Sequence, residues 1–349
     1  MQACAQQTNP VLVVAEAEIR RMQPEDAPGV ASLMQNVYGN TYPKKYVYDP
    51  AQLREKNAKG EVLSVVAAGP EGTVIGYAAI SAYYGYPEIG LLGSMAVTPS
   101  CRCRGLGGTI LRHLITCGEG MGFKTLTGGA FTAHSHSQRA MEHEGFSPSA
   151  ILLGSQPQEI SFRDLAGTLS QRESVVFYTK ALLEEEFAFQ YLPENHRKTI
   201  REISGKLGIR INADGSGNPG RAPTIVEHTI NPDTGAGLIW IRRAGPDYRE
   251  AVIDTVRQLR ARGAQVMRMH VNLNDPGANA VVSAAEEAGF IFAGILPVEE
   301  GYILILQHLQ DMKIDLKKIQ TGGNLCSERL LSYIGAQMKE QKEGTGKGS

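Results

Sequence analysis

The sequence predicts an α/β (α+β) chain in which short apolar strands alternate with amphipathic helices. Three observations carry this. Strand-like and helix-like periods replace one another along most of the chain, separated by glycine and proline breakers. An apolar strand at residues 89–97 runs through a glycine- and arginine-rich turn straight into an amphipathic helix. The same succession then returns: Gly105 to Asp247 is 142 positions and Gly145 to Gly289 is 144. Two matched offsets indicate an internal duplication. An unrelated second α+β domain is the alternative, since strands and helices alternate in many folds.

The elements of the first half follow in order. Residues 17–22 are strand-like. Pro24-Glu25-Asp26 opens a helix reaching about Val37, with acids in its first turn where the helix dipole favours them. Residues 42–49 are an aromatic, lysine-containing loop, and residues 51–59 a short helix ending at Gly60. Residues 62–68 and 74–83 are strands joined by Gly69-Pro70-Glu71-Gly72, a hairpin signal. After the strand at 89–97, Leu106, Ile110, Leu111, Leu114 and Ile115 share one helix face, and that helix ends within 118–122. A strand at 124–131, a helix at 137–144 stopped by Gly145-Phe146, and strands at 150–154 and 174–181 complete this half.

The turn at 101–108 reads Cys-Arg-Cys-Arg-Gly-Leu-Gly-Gly. Glycines let backbone approach a ligand without a Cβ clash. The first N–H groups of the following helix lack partners inside it and sit at its positive end, which makes an anion site. Arg102 and Arg104 add charge suited to phosphate oxygens. The expected ligand is the pyrophosphate of a small cofactor. A Walker A loop requires Lys-Ser/Thr after its last glycine, whereas Thr109-Ile110 follow here. A Rossmann fingerprint requires a third glycine where Ile110 stands. The spacing present is R-x-x-G-x-G, from Arg102, Gly105 and Gly107, just after Val97-Thr98-Pro99. An ordinary glycine-rich strand–helix turn is the other reading of six residues.

With its flanking elements, this stretch resembles the GCN5-related N-acetyltransferase (GNAT) superfamily. The resemblance covers nearly half the chain and implies a mixed central sheet flanked by helices. It implies acetyl-CoA as cosubstrate, its pantetheine amides on Met95, Ala96 and Val97 and its pyrophosphate on Arg102, Cys103, Arg104, Gly105, Leu106, Gly107 and Gly108. Ser137, on the helix before Gly145-Phe146, falls in the second cofactor-side motif. The implied reaction is direct attack of a primary amine, of a small molecule or peptide, on the thioester, with a base or water chain taking the amine proton. A backbone N–H near Val97 would hold the carbonyl oxygen. The sequence departs from the family pattern in three places. Met141 stands where a proton-donating tyrosine is usual, His134 where an asparagine is usual, and Leu91 where histone-type members carry a glutamate. His134, His136 and Glu88 are the nearest titratable groups, with an acid or base role open to each; the histidines suit helix capping equally well.

In the second half the expected elements are a helix at 194–207, a glycine-rich turn at 214–220, and strands at 224–230 and 238–241. A helix at 247–260 with a stripe of Val252, Ile253, Val256 and Leu259 follows. Then come a strand at 266–271, a helix at 279–287 ending in Gly289-Phe290, and strands at 292–296 and 302–309. The loop before the helix, Arg242 to Asp247, lacks R-x-x-G-x-G. Pro246 removes a donor and Asp247 puts a negative charge where phosphate would sit. The implied division is a GNAT domain at 12–183, a degenerate GNAT-like copy at 190–312 without a cofactor loop, and a tail at 313–349 with a helix at 325–338 and a polar, disordered end from Lys339.

Composition narrows the class. A formal charge of −1 gives no electrostatic footprint for nucleic acid. No apolar run approaches a membrane span, and the N-terminus lacks a charged n-region. Five cysteines without a paired framework point to a reducing cytoplasm; separately, a monomer or homodimer is expected. Cys101 and Cys103 lack a second pair for zinc, and two histidines at i,i+2 do not share a helix face, so no metal is expected. An acceptor pocket bounded by residues 42–48 and the second half would suit an active enzyme. A non-catalytic acetyl-CoA sensor or interaction module is the alternative, and a different acyl-CoA a third.

Overall fold

The computed structural model describes residues 10–162, 167–182, 190–209, 211, 215, 217–298 and 301–345. The predicted turn at 214–220 lies partly, and the tail residues 346–349 wholly, outside this set.

Among the described residues, twelve strands form one continuous sheet. In chain order they are β1 (Glu18–Arg21), β2 (Leu63–Ala68), β3 (Val74–Tyr83), β4 (Tyr86–Val97), β5 (Thr125–Phe131), β6 (Ser147–Gln156) and β7 (Glu173–Ala181). β8 (Ile225–Ile230), β9 (Ala236–Arg243), β10 (Val266–Asn272), β11 (Ile291–Val298) and β12 (Gly301–His308) follow. Their spatial order is β1-β2-β3-β4-β5-β7-β6-β11-β12-β10-β9-β8. The pairing is antiparallel except for β4 with β5 and β9 with β10. Those are the two strand–helix–strand crossovers that parallel pairing requires.

The helices are α1 (Pro10–Ala15), α2 (Ala27–Tyr38), α3 (Pro50–Ala58), α4 (Leu106–Gly120), α5 (His136–His143), α6 (Arg197–Lys206), α7 (Tyr248–Ala261), α8 (Ala278–Glu287) and α9 (Leu325–Thr345). α4 is the parallel crossover of the first half. Its predicted apolar face is buried against the sheet, at about 2 kcal/mol per large aliphatic side chain. α7 plays the same part in the second half, with one correction. Val252, Thr255, Val256 and Leu259 are its buried face, while Ile253, one position off that stripe, is 45 % exposed. A second correction concerns the tail. The helix predicted to stop at 338 continues to Thr345, because Gln337 and Gln341 reach back to the Phe292 N–H and the Phe290 carbonyl.

β8 to β12 repeat the pairing of β3 to β7. β9 and β10 are parallel like β4 and β5, and β12 lies between β10 and β11 as β7 lies between β5 and β6. The register shift in β6 between Pro148 and Ala150 recurs in β11 between Phe292 and Gly294, 144 positions later. Bulges re-aim strands and are specific features. The halves meet where β11 pairs β6 antiparallel at Gly294 and Ala150, themselves 144 apart. Only glycine fits there. Its φ is 153°, and a Cβ would lie 2.3 Å from Ala150 Cα. Buried Gln307 reinforces the joint, accepting from the Leu153 N–H at 2.8 Å and donating to the Ile151 carbonyl at 3.1 Å.

Candidate active site

β4 and β5 are in register only from Ile89 to Leu92 and from Thr125 to Gly128, after which they part. Between them opens a cleft of about 450 Å³. Its floor is the free stretch of β4, Gly93 to Val97, and of β5, Gly129 to Phe131. β4 carries a bulge here. Between the pairs Ala79–Gly93 and Tyr77–Ala96, β3 has one residue and β4 two, and Ser94 takes φ 55°. Two buried tyrosines pin the bulge. Tyr42 Oη accepts the Ser94 N–H at 2.9 Å, and Tyr38 Oη donates to the Met95 carbonyl at 2.8 Å. Burial raises both phenols above the ordinary tyrosine value, so they stay protonated.

At one end of the cleft the turn after β4 feeds α4. Cys103 and Gly105 both adopt positive φ, 59° and 81°, and no side chain caps the helix. The first N–H in the helical ladder is that of Thr109, which donates to the Gly105 carbonyl at 3.1 Å. A Cβ on Gly105 would touch nothing within 4 Å, and one on Gly107 would come no nearer than 3.9 Å to Val97. The glycines are therefore not needed for packing, and the space they leave belongs to the cleft. Arg102 lies along its wall, with Nε donating to the Val97 carbonyl at 3.2 Å. Arg104 is outside the lining and exposed, with Nε 3.4 Å from the Ser100 carbonyl.

The other predicted residues divide. Met95, Ala96, Val97, Arg102, Cys103, Gly105, Leu106, Gly107, Gly108, His134, His136 and Ser137 all line the cleft. Glu88 does not. It sits before the parting, where β4 is still zipped to β5 and its carbonyl accepts the Lys124 N–H at 2.9 Å. His134 and His136 have ring centroids 5.7 Å apart. Burial, then His136 and Arg102, pushes His134 down to about 4. It is neutral at pH 7, so it can accept a proton there but not donate one as an imidazolium. Met141 lines the cleft at the position read as lacking a proton donor.

The loop carrying His134 is held from two sides. Buried Glu173 accepts the Thr132 and Ala133 N–H groups and the Thr132 hydroxyl. Gln320, from the tail, donates its N–H to the Thr132 carbonyl and its Nε2 to that of Ala133. The far wall of the cleft comes from the second half: Asn231, Asp233, Thr234 and Arg268. Opposite them stand Tyr42, Lys44 and Tyr84. Burial lowers Lys44 and raises Asp233, while each opposes the other's shift and so favours the other's charged form. Of this group, sequence reasoning had the loop at 42–48 and the second half as a wall, but none of the second half's residues. The missed signal for Arg268 was a lone arginine inside an apolar strand.

Four of the twelve buried side-chain polar atoms without partners among the described residues belong to this cleft: Ser94 Oγ, His134 Nδ1, Ser137 Oγ and Arg268 Nε. A cleft lined so sparsely with polar groups is built for a ligand that supplies their partners.

Residues 28–146 match the acetyltransferase (GNAT) family. The matched stretch runs from α2 through the bulged β4, the glycine loop, α4 and α5 to Gly145-Phe146. The fold of the matched region is a mixed sheet flanked by helices, with the parallel β4–β5 pair at its centre. Solved structures of several acetyltransferases are similar to part of the chain. An N-acetyltransferase from Staphylococcus aureus Mu50 is 18 % identical, over 48 % of this chain and 99 % of its own, with a TM-score of 0.39. A putative acetyltransferase from Salmonella typhimurium, solved with its cofactor acetyl-CoA, is 19 % identical, over 49 % and 97 %, with a TM-score of 0.40. The ribosomal-protein-S18-alanine N-acetyltransferase from Escherichia coli is 18 % identical, over 48 % and 96 %, with a TM-score of 0.38. No curated protein matches the chain. Among the described residues there is no helix long and apolar enough to cross a membrane and no cluster of three potential metal ligands.

Proposed function

We propose that the chain is an acetyl-CoA-dependent N-acetyltransferase for a primary amine. The observation that carries this reading is the parted β4–β5 pair opening onto an uncapped glycine turn, within the stretch that matches the GNAT family. The pyrophosphate fits the N–H groups of the turn and first helical residues, beside Arg102. The pantetheine arm lies along Met95 to Val97, and the thioester at the Ser94 bulge. The amine nitrogen attacks the thioester carbonyl carbon, the C–S bond breaks, and the CoA thiolate leaves. The ammonium proton passes to His134 or to water and ends on the thiolate. Met141 supplies no proton, so the thiolate takes the proton that the amine gives up.

The second half is a degenerate copy of the first. Its repeated strand order, its bulge 144 positions on, and a contact joining equivalent positions support the duplication. Two features close its counterpart of the cleft. β9 and β10 stay paired over six positions, Ala236 to Ile241 with Val266 to Val271. The turn before α7 is filled by the chain itself: Asp247 Oδ1 accepts the Thr224 N–H at 2.7 Å, and the Gly245 N–H donates to Thr224 Oγ1 at 3.0 Å.

Titration calorimetry with acetyl-CoA and a thiol-release assay over a broad amine panel test both points. One site per chain, with turnover of some amine, is expected. Two equivalent sites would overturn the degenerate-copy reading. Binding without turnover of any amine would favour an acetyl-CoA sensor.

A further inference from the structure

The acceptor end of the cleft contains a charge that no described residue pairs with. Arg268 is 6 % exposed and lines the cleft wall supplied by the second half. Among the described residues its single hydrogen bond runs from Nη2 to the Ser155 carbonyl at 3.5 Å, the limit of such a contact. Its Nε has no partner among the described residues, and no carboxylate there pairs with it. A second guanidinium, Arg172, lies close enough to raise the local positive potential. Arg172 is itself satisfied, through the Gly154 and Thr234 carbonyls at 2.8 and 2.7 Å. Tyr83, Tyr84 and His270, around Arg268, are neutral at pH 7, and Asp233, on the same cleft wall, has Lys44 as its first cationic neighbour.

A buried guanidinium is costly unless something anionic meets it, and a planar carboxylate is the group its fork fits. The pyrophosphate does not serve. Arg268 sits beside Tyr83 and Tyr84, at the hairpin where β4 begins. The glycine turn follows the other end of that twelve-residue strand, beyond the Ser94 bulge, and Arg102 is the guanidinium that lines the cleft beside it. We infer, resting on the acyltransfer reading above, that the acceptor amine carries a carboxylate and that Arg268 is the residue that selects it. The substrate class is a small amino acid, with its nitrogen toward the Ser94 bulge. The second half thus keeps no cofactor site of its own but reads the acceptor.

The test compares free α- and ω-amino acids with the carboxamide of each, by thiol release from acetyl-CoA. In the wild type kcat/KM should favour the acid by about a hundredfold or more. Arg268→Gln should bring that ratio to near one and leave acetyl-CoA affinity unchanged. Its melting temperature should hold or rise, since an unpaired buried charge is removed; a structural arginine would lower it. Arg268→Lys should keep an intermediate ratio and serves if the glutamine variant fails to fold. Equal rates on acid and carboxamide in the wild type, or a preference that survives Arg268→Gln, would overturn the inference. Calorimetry of the same pairs into unloaded wild-type protein separates the two readings. If no amine is turned over, acid-selective binding still sustains the carboxylate site, and equal or absent binding of both ends it.

Discussion

Gly107→Asp sets folding and ligand binding against each other. Gly107 is the second residue of α4, and a Cβ there would meet only Val97 at 3.9 Å and Met95 at 4.0 Å, ordinary contacts. The protein itself therefore has room for the side chain. Replacing a helical glycine gains roughly 0.5–1 kcal/mol, and an acid in the first turn adds about 0.3–1 kcal/mol against the helix dipole. The melting temperature should hold or rise. Binding should go the other way, because the carboxylate enters the space proposed for the pyrophosphate. Two like charges about 4 Å apart at an effective dielectric near 20 repel by about 4 kcal/mol, or roughly a thousandfold in affinity. Titration calorimetry with acetyl-CoA reads the loss, and a thermal melt confirms the fold. Gly107→Ala, which fills the space without the charge, should fall between. Affinity within about threefold of wild type in a folded aspartate variant would show that this turn does not hold the pyrophosphate.

His134→Gln should lower turnover about a hundredfold with acetyl-CoA affinity little changed, and the wild-type pH profile should show no limb near 6.5 from this residue, since burial places it at about 4; near-normal turnover would remove it from the mechanism. Acid should unfold the protein early. His134 and His308 are pushed to about 4 and His270 to about 3 by burial, so the unfolded chain binds their protons first, near 6.5. Their contribution is intact above pH 6.5 and is lost as pH falls toward 4, at up to roughly 3 kcal/mol each; urea midpoints at pH 7, 5.5 and 4.5 should fall in that order, less steeply in His308→Gln. Gly294→Ala should destabilise the joint between the halves by about 3 kcal/mol or more, because its Cβ would strike the Ser149 carbonyl and Ala150; an unchanged melting temperature would refute that close approach.

Local chemistry made much of this legible in the sequence. The glycine turn, the strand before it and the helix after it are set by positive-φ requirements, apolar runs and a 3.6-residue stripe, all of which act within about twenty residues. Pro246 and Asp247 likewise marked the second turn as unfit for phosphate, and the filled turn around Thr224 is consistent with that. Even the 144-position offset was visible, because both bulged strands follow a helix ending in Gly-Phe.

What the sequence could not state was what meets across the sheet. The parting of β4 from β5, and the zipping of β9 to β10, depend on which strand neighbours pair, a choice made by packing among residues far apart in the chain. Glu88 looked as plausible as His134 until the structure put Glu88 beside the zipped stretch of β4 and His134 on the loop after β5 that lines the cleft. His134 looked like a group titrating near neutrality until burial beside Arg102 and His136 moved it. Lys44, Asp233 and Arg268 come from three separate segments and share a cleft only because β6 and β11 join two halves into one sheet. A residue type and its neighbours fix what a side chain can do. Desolvation and the identity of the opposing group decide whether it does it, and both are properties of the tertiary fold.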